Sequence, residues 1–138
     1  MKFNDFSWGI LLLFSASISA QAPEIELKAG LKITQSCRIK PGEYRLEAPV
    51  EIRSNEQYIA LITISGNDLA IDFQNAELGS SADPTRPDKF TGLAIMVEGK
   101  NITIRNARVH GFKVALLAHD TPGLTIENSD FSYNYRPR

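Results

Sequence analysis

Ile102-Thr103-Ile104-Arg105-Asn106-Ala107-Arg108-Val109 alternates apolar with polar residues up to an Asn, then gives a small residue, a polar one and an apolar one. The same formula stands at Leu124-Thr125-Ile126-Glu127-Asn128-Ser129-Asp130-Phe131 and at Ile71-Asp72-Phe73-Gln74-Asn75-Ala76-Glu77-Leu78. A period of two puts the apolar side chains on one face of a strand, with the Asn where the chain must turn. The copies begin about 31 and then 22 residues apart, and a 14-residue insertion, Gly79 to Gly92, accounts for the longer interval. Strand-like units that recur at such spacing mark a stacked repeat, whereas a β-sandwich alternates without matching itself.

A second apolar doublet precedes each copy: Ile62 with Ile64, Ile95 with Val97, and Leu116 with Ala118. An earlier, looser copy runs through Ile33, Pro41-Gly42-Glu43-Tyr44-Arg45-Leu46 and Val50-Glu51-Ile52. Three short strands and three turns per repeat wind once around a flattened tube, and successive turns of the tube stack at about 4.8 Å through parallel pairing. The expected fold is therefore all-β: a right-handed parallel β-helix of about four coils occupying residues 24–138. The consensus and the helical half of a leucine-rich repeat are both missing. Asn75, Asn106 and Asn128 share one repeat position, so their side chains are expected to form a hydrogen-bonded ladder at a turn where Asn tolerates left-handed backbone.

Lys40-Pro41-Gly42-Glu43-Tyr44-Arg45-Leu46 resembles the opening coil of pectate-lyase-like β-helix proteins, and the Asn after the second strand is similar to the asparagine ladder of that superfamily. The resemblance covers Leu31 to the C-terminus. It implies the fold and a carbohydrate-related role, and leaves the reaction open among lyases, hydrolases, esterases, epimerases and adhesins.

Residues 1–20 differ in kind. A short head with Lys2 leads into Gly9-Ile10-Leu11-Leu12-Leu13-Phe14 and then small residues up to Ala20. That order reads as a secretory signal peptide, too short to span a bilayer. The expected location is outside the cell, in a periplasm or on the cell surface, with no membrane association after cleavage. The single cysteine, Cys37, excludes an internal disulfide and is expected as a small buried apolar residue. Lys and Arg are scattered among Asp and Glu, and the formal charge is −1, which argues against a nucleic-acid partner. The run Ser129 to Arg138 stops just after a third strand without a recognisable cap, so a fragment of a longer protein is expected.

The resemblance places substrate on the outer face of the first strand stack. If Ile62, Ile64, Ile95, Val97, Leu116 and Ala118 point inward, then Thr63, Ser65, Met96, Glu98, Leu117 and His119 point outward. Glu98 and His119 fall on adjacent rungs with Asp120 at the following turn, and these three are the catalytic candidates. The insertion adds substrate-binding candidates: Arg86 and Lys89 to pair with a uronate or sulfate, and Phe90 to stack on a sugar ring. No cofactor is evident; Asp83 and Asp88 are oxygen ligands of the kind Ca²⁺ takes, without the spacing of a Ca²⁺ loop. The expected partner is an extracellular polysaccharide, recognised or processed, with an acidic chain suited to the loop's cations. An enzyme of this kind would be a polysaccharide lyase or glycoside hydrolase, its site completed by residues beyond this chain. The competing expectation is a non-catalytic surface or adhesion module.

Overall fold

The computed structural model describes residues 22–137, so the signal-like run 1–20 lies outside the described residues. The described residues form an all-β fold in which parallel strands dominate. The first ladder consists of β2 (Leu31–Ile33), the first part of β7 (Ile62–Asp72), the first part of β9 (Leu93–Arg105) and β11 (Val114–Ala118). Leu31 pairs with Ile62, Ile62 with Ile95, and Ile95 with Leu116. The second ladder consists of β1 (Glu24–Ile25), β3 (Cys37–Ile39), the later parts of β7 and β9, and β12 (Thr125–Glu127). β4 (Glu43–Arg45), β8 (Glu77–Gly79) and β10 (Arg108–His110) make the third, which a single bridge from Arg108 to Asp130 extends. Every pairing in these three ladders is parallel.

The alternating pattern explains the core. Ile33, Ile62, Ile64, Ile71, Ile95, Val97, Ile102 and Ile104 are buried in one cluster with Phe73, Leu78, Val109 and Phe112. Parallel strands expose edges only at the first and last rung, so residues in the middle rungs are covered above and below as well as from inside. Cys37 lies in this cluster beneath Ile71, and burial pushes its thiol pKa up, as suits an inert apolar residue.

β7 and β9 each pass from the first ladder to the second through a corner. Gly66 and Asp68 have φ of +150° and +58°, and Gly99 and Asn101 have +116° and +58°. At Gly99 the reason for glycine is contact: a Cβ there would lie 1.8 Å from the Gly66 carbonyl oxygen.

Two sequence expectations need correction. Self-matching of the sequence sets Ile71 over Ile102, but Ile71 pairs with Ile104 and Leu69 with Ile102. Four residues, 73 to 76, separate the paired positions Asp72 and Glu77, whereas two, 106 and 107, separate Arg105 and Arg108. The two extra residues form a wider turn in which Gln74 and Asn75 both take positive φ, +50° and +62°, while Phe73 fills the core beneath it. Val50-Glu51-Ile52 was expected in the earliest copy of the repeat. Val50 is instead 70% exposed, and the chain leaves the stack for an antiparallel hairpin, β5 (Arg53–Ser54) with β6 (Gln57–Tyr58). Its two-residue turn, Asn55 and Glu56 at φ +49° and +65°, has the twist that hairpins favour.

Candidate functional site

Polar ladders run along the outside of these turns. Asn128 Nδ2 donates to Asn106 Oδ1 at 2.6 Å, and Asn106 Nδ2 donates to Asp72 Oδ1 at 2.9 Å. The side chain that Asn106 reaches is thus that of Asp72 and not Asn75, because the wider turn carries Asn75 outward. Asn75 joins through its backbone, donating its N–H to the Asn106 carbonyl at 3.0 Å. Burial alone would raise the Asp72 pKa. Donation from Asn106 and from the Gln74 N–H, with the Arg105 charge, outweighs it and holds the carboxyl below its ordinary value. A second ladder was missed from sequence: Asn101 Nδ2 donates to Asp68 Oδ1 at 2.9 Å across the first corner. Its signal was present in Gly66-Asn67-Asp68 and Gly99-Lys100-Asn101, where Gly, a polar residue and then Asp or Asn recur one repeat apart.

The insertion runs from β8 to β9. It includes a 3₁₀ turn, Pro87–Lys89, and is tied to the segment after β12. The Tyr133 hydroxyl donates to the Pro84 carbonyl, and the Arg136 N–H donates to the Pro87 carbonyl at 3.4 Å. Phe90, expected to offer its face to a sugar, is 3% exposed and meets Tyr133 edge-on at 6.0 Å. It anchors the loop; an apolar ring gains more from burial here than from solvent. Arg86 Nε lies 3.5 Å from Asp88 Oδ1. Asp83 accepts from the Thr85 hydroxyl at 2.7 Å and the Thr85 N–H at 2.9 Å, bonds that lower its pKa. Both carboxylates with a claim on Ca²⁺ therefore have local partners, and the described residues hold no group of three His, Cys, Asp or Glu suited to a metal. Lys89 is exposed.

Where loop and segment meet, a cavity of about 330 Å³ is lined by Pro87, Phe131, Tyr133, Asn134, Tyr135 and Arg136, within the range of about 300–1,000 Å³ typical of ligand sites. Tyr133 and Tyr135 are 54% and 43% exposed. Lys113 Nζ sits 5.9 Å from the Tyr135 ring centre, so one ring of the cleft carries a cation on its face. Asn134 fixes the cleft floor. Its Oδ1 accepts from the Phe112 N–H at 3.1 Å, and its Nδ2 donates to the Phe131 carbonyl at 2.8 Å and the Val109 carbonyl at 3.1 Å.

No protein-family model, curated protein or solved structure matches this chain. Its chemistry has to be read from its own side chains. The catalytic candidates are placed as follows. Ala118 pairs with Val97 as the last rung contact of the first ladder, and Glu98 and His119 each follow by one residue. Both are exposed, as is Asp120. His119 Nδ1 lies 3.2 Å from Asp120 Oδ2, and Asp120 takes φ +52° at the turn. Among the described residues, the built cavity with aromatic and cationic lining is the Tyr133–Tyr135 cleft.

Proposed function

We propose that this protein is an exported right-handed parallel β-helix that binds an acidic extracellular polysaccharide in the Tyr133–Tyr135 cleft. Each repeat visits the first, second and third ladder in the same order, and the strands of one repeat pair in parallel with those of the next, which is how a coiled stack is built. The run 1–20 supplies the export signal. The cleft is the observation that carries the functional reading. Two half-exposed tyrosine rings stand with Arg136 at the cavity, Lys113 lies over one of them, and among the described residues no side-chain carboxylate lines it. Aromatic faces suit the apolar faces of sugar rings, and the Arg136 guanidinium suits the carboxylate or sulfate of an acidic unit.

Recognition, as in a surface or adhesion module, is favoured by this lining over glycoside hydrolysis. Glycoside hydrolysis requires two carboxyl groups flanking the scissile bond, and the cleft offers Arg, Asn and Tyr instead. Calorimetric titration of the mature chain with polygalacturonate, alginate and a neutral glucan tests the proposal. Binding of the acidic chains, weakened by salt and lost in a Tyr135→Ala, Arg136→Ala double variant, supports it. Equal binding by the parent and the double variant would place the ligand elsewhere.

A further inference from the structure

The outer face of the third ladder carries two columns of residues. Arg45 pairs in register with Gly79, and Gly79 with His110. Two residues earlier on each strand, and so on the same face, Glu43 pairs with Glu77, Glu77 with Arg108, and Arg108 bridges to Asp130. Arg108 therefore stands between two carboxylates, which neighbouring strands favour. From Arg45 to His110 the other column holds no carboxylate, and its middle rung holds no side chain. Arg45 and His110 close over that rung from either side. A Cβ at Gly79 would lie 2.8 Å from His110 Cε1, 3.2 Å from His110 Nδ1 and 3.1 Å from Arg45 Nη1. Two nitrogens from different rungs thus come to donor distance of one point. The backbone does not require glycine there, since its φ lies outside the left-handed region. Glycine inside a strand marks close approach of another group, and here the approaching groups are a guanidinium and an imidazole.

Neither side chain is committed elsewhere. Among the described residues the Arg45 guanidinium makes one hydrogen bond, from Nη1 to the Ser80 carbonyl at 3.4 Å, and no ion pair; the His110 ring makes no hydrogen bond. The nearby carboxylates have partners of their own. Glu47 accepts from the Ser81 hydroxyl. Asp130, which feels the charge of Arg108 and then of His110, accepts from the Ser132 N–H at 2.8 Å. We propose that Arg45 and His110 form a notch over Gly79 that binds an oxyanion, either the carboxylate of a sugar acid or a free sulfate. The guanidinium offers paired N–H donors that match two oxygens of such a group. The His110 Nδ1–H supplies a donor from the next rung. Gly79 keeps the floor low enough for one anion to reach both. None of the three residues lines the Tyr133–Tyr135 cavity, so the notch and the cleft can fail separately.

The chain has two histidines, so the Cε1–H resonance of His110 can be followed by NMR and assigned with a His119→Gln variant. The mature protein is titrated at constant pH and ionic strength with sodium sulfate and with the methyl glycoside of galacturonic acid, against sodium chloride. The His110 resonance is expected to move saturably with at least one of the two oxyanions while that of His119 stays near its chloride position. The tighter of the two identifies the source, a sugar acid or a free oxyanion. Arg45→Met, altered at an exposed side chain, should abolish the saturable movement. Gly79→Ala places its Cβ against the tips of two side chains and not against backbone, so it should keep the parental circular dichroism and weaken binding by roughly tenfold or more. Parallel, unsaturable drift of both histidines with either oxyanion overturns the proposal, and so does saturable binding that Arg45→Met and Gly79→Ala leave unchanged.

Discussion

Replacing Asn106 by Ala removes the middle of a three-member ladder. Two side-chain hydrogen bonds go at once, the donation to the Asp72 carboxylate at 2.9 Å and the acceptance from Asn128 at 2.6 Å. The first is charge-assisted, and for a half-buried site the pair together is worth about 2 kcal/mol. Asn106 also sits at φ +60°, where an alanine Cβ costs about a further 1 kcal/mol. The expected loss for Asn106→Ala is therefore about 3 kcal/mol, a large share of a small domain's stability. Asn106→Gly separates the two causes, since glycine accepts the backbone without strain; its loss should be about 2 kcal/mol. Asn106→Asp keeps the shape but cannot donate to Asp72 and sets a second carboxylate against it, so it should be at least as damaging as Gly. Urea unfolding followed by circular dichroism reads all three. If Ala, Gly and Asp variants all unfold within about 0.5 kcal/mol of the parent, the side-chain ladder contributes nothing and the reasoning fails.

The depressed Asp72 pKa makes the fold acid-sensitive. Its folded value lies below that of the unfolded chain, so the stabilisation is complete above the ordinary Asp value of about 4 and is lost as pH falls through the folded value. Asp72→Asn should flatten the melting-temperature profile below about pH 4 without abolishing the slope, because Asp83 and Asp130 are also depressed; an unchanged profile would remove Asp72 from the set. Gly99→Ala should give little soluble protein, given a Cβ at 1.8 Å from the Gly66 oxygen. Gly30→Ala, with nothing within 4 Å of its Cβ but φ +83°, should fold and lose about 1 kcal/mol, and the same yield from both would contradict the close approach at the corner. Phe90→Ala should cost about 3 kcal/mol and open residues 80–92 to limited proteolysis, whereas a protease-resistant variant would mean that Phe90 does not anchor the insertion.

Strand pattern was the most legible part of the sequence. Ile62, Ile64, Ile95, Val97, Ile102 and Ile104 alternate cleanly, and burial on one face follows directly from the pleat. Register was harder. Asn75, Asn106 and Asn128 align by identity, but the pairing depends on how many residues each turn holds, and the left-handed Gln74–Asn75 pair adds two residues that the self-match silently absorbs. Asp72 took the ladder position because a carboxylate accepts what a carboxamide donates, a substitution invisible to an alignment by residue type. The insertion misled for another reason. Phe90 looks available in a polar loop, yet the loop folds back on Tyr133 and Arg136, residues more than forty positions further along the chain. The cleft was only partly foreseeable, since Tyr133, Tyr135 and Arg136 stand out as aromatic and basic residues but their meeting with Pro87 depends on the return of that loop.

Ala70 decides the register most directly. It pairs with Thr103 in the structure, whereas the sequence self-match would set it beside Asn101. Neighbouring parallel strands lie about 4.8 Å apart, within the Cα range that a disulfide spans. An Ala70→Cys, Thr103→Cys protein and an Ala70→Cys, Asn101→Cys protein can be oxidised under mild conditions and mapped by mass spectrometry, with Cys37 buried out of reach. Rapid cross-linking of the first with unchanged circular dichroism, and little in the second, is the expected result. Preferential linkage of residues 70 and 101 would displace the Asp72–Asn106–Asn128 ladder by two residues and contradict the structure on which it rests.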